Sequence, residues 1–237
     1  MNKLKDKVVV ITGGNSGIGR STALLFAKEG AKVVISARRK EKLEEVAREI
    51  TNAGGTCLAI PTDVTNEEKV INLINKTVER FGRLDMLVNN AGIRGKGGEL
   101  RESPTEDWDK VIDTNLKSVY LCSKAAIKIM EKQKEGLIIN VSSMAGKEGQ
   151  GYPTSHIYHT SKWGIMGFSE CLRKSGKPFN IRITTICPGT ADTPFRPTPS
   201  PNALKPEDVA DCILLVASLP DRVNILEIDL MSLTEVK

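Results

Sequence analysis

The chain has 237 residues, of which 40% are hydrophobic, 27% charged and 4% aromatic, and its net charge is +5. These proportions are typical of a globular protein, and they exclude disordered, collagen-like and disulfide-scaffold chains. The length suits a single α/β domain spanning residues 1–237, and the interspersed charges without aromatic partners do not indicate nucleic-acid binding.

The predicted elements alternate between short β-branched runs and longer helical patterns. In the first half of the chain they are the strand Lys7–Thr12, the helix Gly17–Glu29, the strand Lys32–Ser36, the helix Glu41–Thr51, the strand Thr56–Ile60, the helix Asn66–Phe81 and the strand Asp85–Val88. In the second half they are the helix Pro104–Glu131, the strand Leu137–Val141, the helix Ser155–Ser175, the strand Ile181–Ile186, a helix beginning at Pro206 and the strand Asn224–Asp229.

Strands of Val and Ile without polar alternation are buried on both faces, and helices between them imply parallel pairing. The pattern predicts a doubly wound Rossmann-type α/β fold, with about seven parallel strands and helices on both faces. Two helix starts carry capping signals. Thr65 and Glu68 have the spacing of a capping box, and Ser103 is the predicted N-cap before Pro104.

Other features of the sequence bear on where the protein works. No apolar run approaches the roughly 18 residues that span a membrane, and the apolar stretch near the N-terminus is too short for a signal peptide. Five cysteines without a C-x-x-C pair favour a reducing compartment, so we expect a cytoplasmic protein with no membrane contact. His156 and His159 lack further ligands at motif spacing, and we expect no metal.

A glycine-rich segment, Thr12-Gly13-Gly14-Asn15-Ser16-Gly17-Ile18-Gly19, joins the first strand to the first helix. Glycines let the backbone approach a ligand, and the helix N-terminus offers N–H groups to a pyrophosphate. This strand–loop–helix context is typical of a dinucleotide site. Gly14 and Gly19 also have the spacing of a P-loop, but Arg20 stands where its lysine is required, which disfavours nucleoside triphosphate hydrolysis.

Tyr158 and Lys162 are four residues apart on a predicted helix and therefore share one face. A neighbouring ammonium group is expected to lower the tyrosine pKa from its usual value of about 10, so that Tyr158 exchanges a proton near neutrality. Ser143 follows the strand Leu137–Val141, at the sheet edge where ligands bind. The alternative for the pair alone is a structural tyrosine beside a solvated lysine.

These segments together resemble the short-chain dehydrogenase/reductase family in its compact form, over nearly the full chain. The matching motifs are, in order, Thr12-Gly13-x-x-x-Gly17-x-Gly19, Asn89-Asn90-Ala91-Gly92, Asn115, Ser143, the pair Tyr158 and Lys162, and Pro188-Gly189 with Thr193. Each motif falls on the element where the family carries it.

The resemblance implies a role for each catalytic residue. Tyr158 is the proton donor in reduction, and Lys162 lowers its pKa and holds the nicotinamide ribose. Ser143 bonds the substrate oxygen, Asn115 anchors a water relay to Lys162, and the hydride comes from the nicotinamide without a metal. The implied cofactor-binding residues are Gly13, Asn15, Ser16, Gly17, Ile18, Gly19, Asp63, Val64, Asn90, Ala91, Gly92, Tyr158, Lys162, Pro188, Gly189 and Thr193.

The end of the second strand indicates which nicotinamide cofactor is used. An acidic residue there binds the ribose 2′-hydroxyl of NAD, but this chain has Ala37 followed by Arg38 and Arg39. Guanidinium groups pair with a 2′-phosphate, so we predict NADP(H). The alternative is that the two arginines simply begin a charged surface helix.

The chain departs from the family pattern in two places. The separation of Ser143 and Tyr158 is longer than in many relatives, and we expect residues 149–153 to absorb it as a loop. The resemblance implies a homodimer or a homotetramer. The C-terminus lacks the family's usual glycine-rich ending, which often lies at a subunit interface, and this difference argues against the tetramer. Prolines within residues 190–205 predict a small, irregular lid and an open crevice.

We therefore expect an NADP-dependent oxidoreductase that interconverts a small carbonyl compound and its alcohol. One alternative is a 3-oxoacyl thioester reductase, because the mild positive charge suits an acidic carrier protein. Another is a catalytically silent NADP-binding regulator, against which the complete set of Asn115, Ser143, Tyr158 and Lys162 argues.

Overall fold

The computed structural model describes residues 3–147, 156–195 and 202–234. Its strands are β1 (Val8–Thr12), β2 (Lys32–Ala37), β3 (Thr56–Pro61), β4 (Met86–Asn89), β5 (Gly136–Val141), β6 (Ile181–Pro188) and β7 (Glu227–Leu230). Its α-helices are α1 (Gly17–Lys28), α2 (Lys40–Asn52), α3 (Glu67–Phe81), α4 (Thr105–Ile112), α5 (Ser118–Gln133), α6 (His156–Gly176) and α7 (Pro206–Ala217). Within these residues no helix is long and apolar enough to cross a membrane.

All seven strands form one parallel sheet in the order β3-β2-β1-β4-β5-β6-β7, which confirms the predicted fold class. The chain leaves β1 in one direction to build β2 and β3, and returns to pair β4 with the other edge of β1. Such a switch point opens a crevice outside the carboxyl ends of the strands. That the whole chain is one domain stays a prediction.

Alternate residues of the central strands enter two hydrophobic layers, one on each face of the sheet. Val9 and Ile11 of β1 lie on the face of the sheet that α1, α2 and α7 cover. They belong to the same hydrophobic cluster as Phe26 of α1. Val10 lies on the opposite face, which α3, α5 and α6 cover. It belongs to the same hydrophobic cluster as Leu73 of α3. This burial on both faces explains why the strands are apolar without alternation.

The N-cap of α3 differs from the predicted capping box. Asn66 caps the helix, because its side-chain oxygen accepts a hydrogen bond from Lys69 N at 2.9 Å. The Thr65 hydroxyl instead donates to Asp63 Oδ1 at 2.8 Å. Thr and Asn both cap helices well. Here the hydroxyl of Thr65 bonds Asp63 instead, so Asn66 is the cap.

The predicted helix Pro104–Glu131 is interrupted in the structure. A π-helical turn at Asp113–Lys117 separates α4 from α5, with Ser118 N bonding Asp113 O five residues back. Pro104 rather than Ser103 takes the N-cap position, because the backbone of Pro104 is itself extended and the helix begins only at Thr105. The π turn holds Asn115 fully buried, and such turns are frequent at functional sites.

Candidate active site

A cleft of about 950 Å³ lies at the carboxyl ends of the strands. Most of the residues predicted to form the site line it: Gly13, Asn15, Ser16, Gly17, Ile18, Arg38, Arg39, Asp63, Val64, Asn90, Ala91, Gly92, Ser143, Tyr158, Lys162, Pro188, Gly189 and Thr193. Gly19 and Asn115 do not line the cleft. Both lie behind the residues that do and contact them.

The glycine loop packs tightly against the end of β4. Gly13 has a left-handed φ of +67°, and a Cβ there would lie 2.9 Å from Asn90 Nδ2. A Cβ on Gly19 would overlap the carbonyl oxygen of Gly13 and lie 2.5 Å from Asn90 Nδ2. Gly19 therefore serves close packing of α1 under the loop, and its part in cofactor binding stays a prediction.

The same loop presents a helix N-terminus suited to a pyrophosphate. Ser16 is the N-cap of α1, but its backbone is extended and its side chain makes no capping hydrogen bond. The first N–H groups of α1 are thus available to an anion, and the helix dipole adds a partial positive charge. These features fit a dinucleotide cofactor.

The end of the cleft beside β2 is basic. β2 ends at Ala37, which carries no carboxylate. Arg38 and Arg39 follow it and line the cleft. Asp63 lies opposite and accepts hydrogen bonds from Thr65 N and Oγ1, at 3.1 and 2.8 Å. The hydrogen bond from the Thr65 side chain, followed by smaller effects that include the charge of Arg38, holds the Asp63 pKa below its usual value.

Beneath the cleft, buried amides join β4 to β5. Asn89 Nδ2 donates to Asn140 Oδ1 at 2.9 Å and to Ser123 Oγ at 3.1 Å, and Asn140 Nδ2 donates to Ser169 Oγ at 2.9 Å. The network therefore ties two neighbouring strands to α5 and α6. Buried polar groups that are paired in this way fix the relative positions of the elements that carry them.

Asn115 organises the wall of the site from within the π turn. Its Oδ1 accepts from Ile93 N at 2.8 Å, and its Nδ2 donates to Ile93 O at 2.9 Å and to Ser161 Oγ at 3.0 Å. Ser161 Oγ donates in turn to Tyr158 O at 2.7 Å. Asn115 thus links the loop after β4 to the first turns of α6, and the water relay to Lys162 stays a prediction.

Ser143 sits where β5 meets β6. Its hydroxyl accepts a hydrogen bond from Ala145 N at 3.1 Å and donates to Pro188 O at 3.3 Å. Burial raises the pKa of Tyr158, and the nearby Ser143 side chain opposes that rise. The structure therefore brings Ser143 and Tyr158 together despite the residues between them.

Lys162 lies over the ring of Tyr158 and at the end of β5. Its Nζ lies 5.6 Å from the Tyr158 ring centroid and donates to Val141 O at 3.0 Å. Burial lowers the pKa of Lys162 to about 8. Burial also raises the pKa of Tyr158, against the opposing effects of the Ser143 hydrogen bond and the charge of Arg94.

The direction of the Tyr158 shift is opposite to the sequence-based prediction. That prediction assumed an ammonium beside the phenol oxygen as the dominant influence. Instead the loss of hydration of the phenolate is the larger effect, and Lys162 is not among the groups that counter it. Tyr158 is therefore protonated at neutral pH.

The segment after β6 crosses the cleft toward the glycine loop. Ala191 bridges to Leu204, and Leu204 N donates to Thr190 O at 2.9 Å. A Cβ on Gly17 would lie 3.2 Å from the Thr193 side chain, and the Phe195 ring lies 5.7 Å from that of Tyr158.

Residues 190–195 contain no helix, in accord with the irregular lid predicted there. Residues 196–201 of the predicted lid lie outside the described residues. The predicted loop at residues 149–153, with Tyr152, lies outside them as well.

Several lining residues were not identified from the sequence: Ile93, Arg94, His159, Phe195, Met231 and Thr234. Arg94 carried the clearest signal, because it lies two residues after the Asn89–Gly92 motif.

A further cluster lies beside the cleft. The ligand atoms of Cys187, Glu227 and Asp229 lie within 4.8 Å of one another. Lys147 Nζ contacts the Glu227 carboxylate and lies 2.6 Å from Asp229 Oδ2. A lysine ammonium thus supplies the positive charge that these carboxylates require.

Comparison with known proteins gives consistent matches over most of the chain. The short chain dehydrogenase family matches residues 7–203. An uncharacterized oxidoreductase of Staphylococcus aureus (strain MRSA252) is 36% identical over 231 residues, covering 96% of this chain and 98% of that protein. The 3-oxoacyl-acyl-carrier-protein reductase of Thermotoga maritima is 38% identical over 229 residues, covering 91% of this chain and 92% of that protein.

The fold has close counterparts among solved structures. A metagenomic short-chain oxidoreductase in complex with NADP superposes with a TM-score of 0.87 at 34% sequence identity. The match covers 96% of this chain and 97% of that one. Sequence and three-dimensional structure therefore point to the same family.

Proposed function

We propose, from the premise that this chain belongs to the short-chain dehydrogenase family, that it is an NADP-dependent oxidoreductase interconverting a carbonyl compound and its alcohol. The observation that carries the proposal is the convergence of Ser143, Tyr158 and Lys162 in the cleft that the glycine loop borders. A nucleotide laid along that cleft from Arg38 would bring its nicotinamide to these residues.

The choice of NADP rests on charge at the adenosine end. Arg38 and Arg39 line the cleft there, and no salt bridge within the described ranges engages either guanidinium. The 2′-phosphate distinguishes NADP from NAD and pairs well with guanidinium groups. The NADP complex of the metagenomic relative supports the same choice.

In the reduction direction, bound NADPH supplies a hydride to the carbonyl carbon. The Ser143 hydroxyl hydrogen-bonds the carbonyl oxygen and holds it beside Tyr158. Tyr158 then transfers its phenolic proton to that oxygen, which yields the alcohol. The raised pKa of Tyr158 keeps this proton on the phenol at neutral pH, so that it is present to be donated.

A second candidate substrate is a 3-oxoacyl thioester, and the relative from Thermotoga maritima is the observation that favours it. Both candidates use the same residues and differ only in what the carbonyl group is attached to. A thioester substrate is long, so its carrier would remain outside the cleft.

Steady-state kinetics test the proposal. Oxidation of NADPH is followed with a panel of ketones and a 3-oxoacyl thioester, and each rate is compared with that for NADH. We expect turnover with NADPH and a clear preference over NADH. Binding of NADPH without turnover of any carbonyl compound would instead support a silent NADP-binding regulator.

The family also suggests a cytoplasmic homodimer or homotetramer, which we include in the proposal. Light scattering coupled to size-exclusion chromatography measures the assembly directly. A monomer at micromolar concentration would contradict it.

A further inference from the structure

We infer that Arg94 binds an anionic group of the substrate, and that the preferred substrates are ketones carrying a carboxylate. This inference rests on the proposed carbonyl reductase function and names its substrate class. Arg94 lines the cleft together with Ser143, Tyr158 and Lys162, on the loop that follows β4.

The backbone on both sides of Arg94 is held in place. On one side, both polar backbone atoms of Ile93 bond the Asn115 amide, at 2.8 and 2.9 Å. On the other side, Lys96 N donates to Asp107 Oδ2 at 2.9 Å, and Asp107 is only 7% exposed. Gly95 between them has a φ of +80°, a conformation that glycine adopts readily. Arg94 therefore extends from a fixed point beside the catalytic residues.

The Arg94 charge is not used by the protein itself. Across residues 3–147, 156–195 and 202–234, no carboxylate forms a salt bridge with Arg94, and its side chain is exposed to the cleft. Arg101, farther along the chain, differs in this respect, since it pairs with Glu99 and Glu102. An exposed guanidinium without a partner on a fixed loop is suited to bind a ligand carboxylate with two hydrogen bonds.

The cofactor does not account for Arg94. In the proposed binding mode the phosphates would lie at the glycine loop and at Arg38, whereas the charge of Arg94 is felt at Tyr158. The acidic residue among the described lining of the cleft is Asp63, which lies at the adenosine end and bonds Thr65. The catalytic end of the described cleft thus carries positive charge, which favours an anionic substrate.

The reaction leaves the carboxylate unchanged. The C=O π bond of the oxo acid breaks, its carbon gains the hydride from NADPH and its oxygen gains the proton of Tyr158. The products are a hydroxy acid and NADP⁺. Arg94 holds the carboxylate so that the carbonyl group reaches Ser143 and Tyr158, and it contributes through orientation.

The test compares matched charged and neutral substrates. Values of kcat/KM are measured with NADPH for acetoacetate and levulinate and for the methyl ester of each. The ratio of acid to ester cancels any effect of Arg94 on Tyr158, because both substrates take the same proton. Wild type is expected to prefer the acids.

Arg94→Gln is expected to lower that ratio by about 10- to 150-fold, the loss of one charge-assisted hydrogen bond. Arg94→Lys should restore part of it, because the charge remains without the guanidinium fork. Lys96→Gln is the matched control, since it removes a cation from the same loop and should leave the ratio unchanged. A ratio that Arg94→Gln does not alter would overturn the assignment.

A measurement on wild type alone gives an independent check. Raising the ionic strength should raise the KM of the acids and leave that of the esters nearly constant, because salt screens an exposed ion pair. Equal salt dependence would contradict the inference. If wild type reduces neither acids, esters nor simple ketones, the proposed reductase function itself fails. If the esters turn over and Arg94→Gln spares the ratio, only the role of Arg94 fails.

Discussion

At the scale of single residues, burial sets the charge states that the chemistry needs. Burial lowers the pKa of Lys162 to about 8 and raises that of Tyr158. Each group is thereby biased toward its neutral form, the tyrosine as a proton donor and the lysine as a partly deprotonated amine. In the proposed reaction, the activity is therefore expected to depend on pH through the protonation of Lys162.

This dependence gives a pH prediction. Lys162 is charged below pH 8 and neutral above it, because its pKa in the free enzyme is about 8. If its ammonium holds the nicotinamide ribose, kcat/KM for NADPH falls as the pH rises through that value. The pH profile is measured from pH 6 to 10 with a neutral ketone. A profile that stays flat across this range would contradict the role of the Lys162 charge.

The cofactor preference is a second prediction at this scale. Arg38→Asp, alone or with Ala37→Asp, removes a charge-assisted contact worth roughly 1.5–3 kcal/mol, so kcat/KM for NADPH should fall by about 10- to 150-fold. The preference for NADPH over NADH is measured for each variant. Arg48→Asp, on the exposed face of α2 outside the cleft, is the charge-matched control. Wild type that prefers NADH would show that the interpretation of Ala37 is wrong.

At the scale of elements, Lys147 joins the turn that begins at Ser143 to β7, the edge strand of the sheet. Its ammonium contacts Glu227 and lies 2.6 Å from Asp229 Oδ2, and its side chain is 29% exposed. The turn carrying Ser143 and the strand closing the sheet are therefore held by one cation. Without that cation, two neighbouring carboxylates repel each other.

Lys147→Met is expected to lower the stability by about 1 kcal/mol, the upper end for a partly exposed pair. This corresponds to a fall in Tm of roughly 2–4 °C for a chain of this size. Thermal unfolding is followed by circular dichroism. Lys40→Met, which breaks an exposed pair with Glu44 on α2, serves as the control and should change Tm far less. Equal effects of the two substitutions would show that Lys147 has no special role.

The elements also show what sequence patterns can and cannot predict. Buried strands such as Val8–Thr12 were found within a residue, because runs of Val and Ile have few alternatives. The π turn at Asp113–Lys117 was missed, since a shift from four to five residues in hydrogen bonding leaves no periodic signal. The cap of α3 was misassigned by one residue because Thr65 and Asn66 both cap well, and a contact with Asp63 decided between them.

The same limit applies within the cleft. Motif spacing identified the residues contributed by regular elements or their ends, such as Tyr158 and Lys162 on α6. Arg94 was missed because tertiary hydrogen bonds from Asn115 and Asp107 place its loop. The direction of the Tyr158 shift was wrong because burial depends on the packed fold and not on the spacing to Lys162.

At the scale of the whole molecule, the order of the strands brings distant parts of the chain to one edge of the sheet. Residues from Gly13 to Thr234 line a single cleft because all seven strands are parallel and end on the same side. The glycine loop and the catalytic residues therefore belong to one site. In the proposed reaction, a cofactor bound by the first half of the chain would meet the proton donor Tyr158 from the second half.

The central claim is that Tyr158 supplies the proton in carbonyl reduction, and Tyr158→Phe tests it most directly. The substitution removes the transferable proton and keeps the ring, so NADPH binding, followed by fluorescence titration, should remain within a few-fold of wild type. Turnover of a ketone at saturating NADPH should fall by about 10²–10⁴, the usual scale of general acid catalysis. Near-normal turnover in a variant that still binds NADPH would contradict the account.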